Sequence, residues 1–152
     1  MENKANNVFT QIEINATPEQ VWNVLTDWNN LKEWSSSFIG ISVNKPIKGE
    51  RFVSYFKKPL TGEKIALEHI CTEYEEGLKF GWSGDIIGKI KDHHIYSLEP
   101  TQSGTTIFKQ EDGLHGPNSK FYNLLAKHKM KAMYNKFNKE LKMRVESLYP
   151  KD

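Results

Sequence analysis

The sequence holds one cysteine, Cys71, in 152 residues. That excludes an intramolecular disulfide and any zinc site built on paired cysteines. No apolar run approaches the ~18 residues of a membrane span, and Met1–Asn7 is too polar for a secretory signal. Neither a glycine-rich phosphate loop nor an HExxH pair occurs, and Ser35, Ser36 and Ser37 lack the flanking glycines of a nucleophile elbow. His93 and His94 are adjacent, so on a strand they point to opposite faces and cannot share one ion. No metal and no cofactor is expected. Aromatic residues, by contrast, are plentiful: 8 Phe, 6 Tyr and 4 Trp. They argue for a packed globular chain, and the length fits one domain over 1–152 with flexible ends at 1–7 and 149–152. A soluble, cytoplasmic protein is the expectation.

The net charge of +2 is unevenly placed. Residues 117–152 carry nine basic and three acidic side chains, while the rest of the chain is net acidic. A basic segment can be a footprint for nucleic acid or anionic lipid. Here the lysines are spread through a helical pattern, which reads as a solvated face. Neither nucleic-acid binding nor stable membrane insertion is therefore expected.

Val8, Thr10, Ile12 and Ile14 alternate with Phe9, Gln11 and Glu13, the period of a strand. Thr17-Pro18-Glu19-Gln20 then combines a cap, a proline suited to the first helical position and a capping-box partner, so a helix starts there. Leu31–Trp34 reads as a second short helical turn. From Phe38 to Asp112 the pattern is β throughout: Phe38–Val43, Arg51–Lys57, Ile65–Glu75, Leu78–Trp82, Lys89–Leu98 and Thr105–Asp112, separated by Gly- and Pro-bearing turns. A bulge within Ile65–Glu75 would change which face His69 occupies. Ser119–Leu148 has neither Gly nor Pro and predicts one long helix. Its apolar positions form two stripes, one through Phe121, Leu124, Leu125, His128 and Ala132, the other through Met133, Phe137, Leu141, Val145 and Leu148. The two are expected to bury against different neighbours. An α+β fold follows, with a curved antiparallel sheet of about seven strands wrapped on the terminal helix and a cavity between them.

The run Ala16–Asp27 followed by Trp34 resembles the opening of the START-like, helix-grip (SRPBCC) superfamily. Gly77–Gly84 with Phe80 and Trp82, His94–Pro100, and Gly104–Ile107 running to Glu111 and Gly116 are similar to its small bacterial members of polyketide cyclase/dehydrase type. The resemblance spans roughly 8–148. It implies the helix-grip fold and a hydrophobic small molecule in the central cavity, without identifying that molecule, since the fold hosts many activities.

Strand parity then nominates the cavity wall: Phe52 with Phe56, Phe80 with Trp82, and His94 with Tyr96. Trp34 and Phe38 stand near the expected mouth, and Phe121, Leu125, Met133 and Phe137 are expected to close the pocket from the helix. Glu111 shares parity with Ile107. If that phase faces the cavity, desolvation would raise its pKa and let it exchange protons with His94 or His69. Three readings result: a binder of a lipid- or polyketide-like molecule, favoured over an enzyme; a cyclase/dehydratase using Glu111 with His94 or His69; and a protein-interaction module, similar to chaperone-ATPase activators, using the basic helix. Ile86-Ile87 and open strand edges permit a homodimer.

Overall fold

A computed structural model describes residues 7–151. The expected N-terminal tail, apart from Asn7, and Asp152 lie outside the described residues, as does the Ile87 side chain. The chain runs β1 (Val8–Ile14), α1 (Pro18–Leu25), α2 (Leu31–Trp34), β2 (Phe38–Ile41), β3 (Arg51–Lys57), β4 (Lys64–Glu75), β5 (Lys79–Ser83), β6 (Asp85–Ile87), β7 (Ile90–Asp92), β8 (His94–Pro100), β9 (Thr106–Asp112), β10 (Leu114–His115) and α3 (Ser119–Leu148). Seven strands form one antiparallel sheet in the order β1-β9-β8-β5-β4-β3-β2, and β10-β7-β6 form a second, smaller one. The large sheet is a curved half-barrel that grips α3, which is the helix-grip fold.

Local chemistry explains the elements that sequence reads correctly. Thr17 Oγ accepts from the Gln20 amide while Gln20 Oε1 accepts from the Thr17 amide, closing the capping box at the start of α1. Across the sheet, Ile14, Phe52, Phe80, Leu98 and Phe108 point to the concave side and bury there. Phe137, Leu141 and Val145 of α3 meet them, each at most 2% exposed.

The structure departs from some of these expectations. Lys89–Leu98 is two strands, because the Asp92 carboxylate accepts the Gly84 amide and His93 donates to the Gly113 carbonyl, so the chain leaves the small sheet before entering the large one. Gly113–Gly116 contains a short strand, β10. The bulge in β4 falls between Cys71 and Glu73, after His69, so His69 and Cys71 face inward and Tyr74 takes over the inner face beyond the bulge. Finally, α3 has one buried stripe. Phe121, Leu124 and Leu125 are 60%, 74% and 63% exposed, and the buried residue of the first half of the helix is Asn123, which bonds to Leu114 of β10. Tyr149, expected in the free tail, packs against the core.

Candidate functional site

The concave face of β2, β3, β5 and β8 carries an almost continuous layer of rings. Trp82 is at its centre, 4.9 Å from Phe80, 5.0 Å from Tyr96 and 5.7 Å from Phe38 by ring centroid. Phe38 continues to Phe56 at 5.3 Å, and Phe52 packs on Phe80 at 5.8 Å. From α3, Phe137 stacks on Tyr96 at 5.6 Å, and Trp34 covers Phe137 at 5.4 Å. Where α3 crosses β8, Phe137 and Tyr96 are in direct ring contact. Trp34 and Phe56 are half-buried at the margin of this layer.

His94 stacks on Trp82 at 4.5 Å and opens a polar cluster at one end of the layer. Gln110 Nε2 donates to Asn138 Oδ1 at 2.6 Å and to the Tyr134 carbonyl at 3.2 Å, so its Oε1 is the acceptor facing His94 Nε2 at 2.8 Å. His94 Nε2 therefore carries a proton. Its Nδ1 lies 3.5 Å from Asp112 Oδ2. Asp112 also accepts from the Tyr134 hydroxyl, and its Oδ1 accepts from the Gly113 amide at 2.7 Å. Asn138 completes the chain by donating to Thr10 Oγ at 3.1 Å. Burial pushes the Asp112 carboxyl above its ordinary range, offset in part by His94 and the Tyr134 hydrogen bond. Burial, reinforced by Asp112, lifts the Tyr134 and Tyr96 hydroxyls well above theirs.

A second aspartate–histidine pair lies on the other side of Trp82. His69 Nδ1 is 2.9 Å from Ser54 Oγ, its Nε2 is 3.5 Å from Asp92 Oδ2, and its ring sits 6.2 Å from Trp82. Gly84 passes so close that a Cβ there would overlap the His69 ring, so only glycine fits. Among the described residues every buried side-chain nitrogen or oxygen has a partner, and no group of three or more His, Cys, Asp or Glu is placed to hold a metal ion.

The structure therefore brings together Trp34, Phe38, Phe52, Phe56, Phe80, Trp82, His94, Tyr96 and Phe137. Phe121, Leu125 and Met133 are not part of this assembly; Met133 is 37% exposed. Glu111 is corrected as well. It lies on the outer face of β9, where Asn7 donates to it at 2.9 Å, because the inward phase of β9 is Thr106, Phe108, Gln110 and Asp112. The buried carboxylate is its neighbour Asp112. Burying Phe108, the larger apolar residue, rather than Ile107 was the signal for that phase. Asp92, Ser54, Gln110, Tyr134 and Asn138 were also missed. His93 is half-buried on the outer side, 3.4 Å from Thr72 Oγ. Cys71 is buried and donates to the Glu73 carbonyl, and burial pushes its thiol up.

Open clefts flank the core. One of about 320 Å³ lies between Thr26–Asn29 and Ile41–Asn44. Another, about 280 Å³, is lined by Arg51, Thr72, Ser83, Gly84 and Lys91 and has His69 at its wall.

A family profile described as "Polyketide cyclase / dehydrase and lipid transport" matches residues 6–146. No curated protein sequence matches the chain. Among solved structures, a protein from Nitrosomonas europaea is 18% identical, with a TM-score of 0.72 over 95% of this chain and 97% of that one. A protein from Chromobacterium violaceum is 16% identical, with a TM-score of 0.71 over 93% and 98%. A START superfamily protein from Mycobacterium smegmatis is 15% identical, with a TM-score of 0.65 over 93% and 98%. At these identities the structural likeness concerns the fold.

Proposed function

The chain belongs to the polyketide cyclase/dehydrase and lipid transport family, and from that premise we propose that it binds a hydrophobic or aromatic small molecule on the inner face of its sheet. The observation that carries this reading is the ring layer around Trp82 with a polar cluster at one end. Ligand sites are mostly apolar walls with a few placed polar groups, and an aromatic polyketide or acyl chain with a carbonyl or hydroxyl end matches that division. Entry runs beneath the first half of α3. That half begins at Asn118 with φ +60° and no side-chain cap, has no acid in its first turn, and buries little besides Asn123. Elements with few buried contacts open at low free energy. Tryptophan fluorescence titrated with an aromatic polyketide and with a fatty acid tests this, with saturable 1:1 quenching by one of them expected. Unchanged emission with both would contradict it.

A second reading follows from the Asp112–His94 pair. A buried carboxyl with a raised pKa beside an imidazole is the pair of groups that acid–base chemistry on a carbonyl compound uses, as a cyclisation or dehydration requires. Asp112→Asn is then expected to keep ligand affinity and abolish turnover of a poly-β-ketone. Parallel loss of affinity and turnover would make Asp112 a binding group alone.

A further inference from the structure

No helix among the described residues is long and apolar enough to cross a membrane. The outward side of α3 nonetheless has an unusual composition. Phe121, Leu124 and Leu125 are all at least 60% exposed and, with Ala132, share a face at about 100° per residue. That face is opposite the buried stripe of Asn123, Tyr134, Phe137 and Leu141. Exposed apolar residues scattered singly mean little, but a contiguous group does. Lys120, Lys127 and Lys131 flank this strip on one side, with Lys129 and Lys136 on the other, and all five are exposed. No Asp or Glu occurs between Asp112 and Glu140. Among the described residues no carboxylate pairs with any of these lysines.

From this arrangement we infer that the outward face of the first half of α3 docks on the surface of an anionic lipid bilayer. An apolar strip bordered on both sides by lysines is the form of a helix lying in the membrane interface. The strip enters the acyl boundary while the lysine stems reach back to the headgroups. A two-fold contact with a second copy fits less well, because it would set the same lysines against themselves. Nucleic acid would leave Phe121, Leu124 and Leu125 unused. The inference is independent of the ligand reading, since it concerns the opposite side of the helix.

Flotation with vesicles of phosphatidylglycerol and phosphatidylcholine, against phosphatidylcholine alone, tests it directly. The full chain is expected to float with the anionic vesicles and be released by added salt. The double variant Leu124→Asp/Leu125→Asp and the triple variant Lys127→Gln/Lys129→Gln/Lys131→Gln should each weaken capture at least about tenfold, with the circular dichroism spectrum unchanged. No capture, equal capture by neutral vesicles, or capture indifferent to both variants would overturn the inference. So would a dimer split by Leu124→Asp/Leu125→Asp, which assigns the face to a second copy. Salt-sensitive binding of an acidic peptide without vesicle capture would assign it to a protein.

Discussion

The two halves of α3 are one uninterrupted helix and yet belong to different parts of the molecule. The second half buries Phe137, Leu141 and Val145 and is tied to surrounding loops by side chains. Glu140 accepts from the Ser36 amide and hydroxyl, Lys142 donates to the Glu13 carbonyl, Arg144 pairs with Glu33, and Glu146 accepts from the Asn15 amide. The first half is held by Asn123, through two long hydrogen bonds to Leu114. Helix propensity is similar along both, so packing alone makes the difference. One half serves as a wall of the core, and the other buries little beyond Asn123.

That contrast predicts unequal responses to substitution. The largest is for Phe137→Ala, which removes a ring packed on Trp34, Tyr96 and Phe108. It should cost about 3–5 kcal/mol in urea unfolding. Tyr134→Phe, at the junction of the halves, takes a donor from buried Asp112 and should cost about 1–3 kcal/mol. Leu125→Ala should stay within about 0.5 kcal/mol of wild type. A loss comparable to that of Phe137→Ala would mean that the first half is packed after all, and the comparison would fail.

The pH dependence sharpens the same junction. Asp112 has its pKa raised in the folded state, chiefly by burial, from an ordinary value of 3.8. Its contribution is therefore fully present below that value and is lost as pH rises through the folded pKa. Asp112→Asn removes the titration. Wild-type stability relative to Asp112→Asn should accordingly fall as pH is raised from the acid side toward neutrality. A difference that widens in favour of wild type over that interval would show that the His94 and Tyr134 partners, not burial, dominate.

Elements governed by neighbouring residues were legible in the sequence. The capping box marks the start of α1, and the absence of Gly and Pro over Ser119–Leu148 delimits α3. Phase was harder wherever both phases of a strand carry apolar residues. In β9, Ile107 and Phe108 each propose a face, and only the pairing with β1 and β8 selects Phe108 and hence Asp112 rather than Glu111. The division of Lys89–Leu98 depends on Gly84 and Gly113, which are distant in sequence or belong to another strand's edge. The ring layer was largely legible because Trp82, Phe80 and Tyr96 alternate within single strands. Its polar end was not, since Gln110, Tyr134 and Asn138 meet only through the folding of α3 over β9. Phe121 and Leu125 misled because periodicity reports that a helix has an apolar face, and not what covers it.

Native mass spectrometry after incubation with a panel of aromatic polyketides and acyl lipids, present in excess over the protein, tests the ligand reading most directly. A one-to-one adduct with at least one of them, displaced by a competitor of the same class, is expected. Bare protein mass across the whole panel, from a chain shown to be folded, would contradict it.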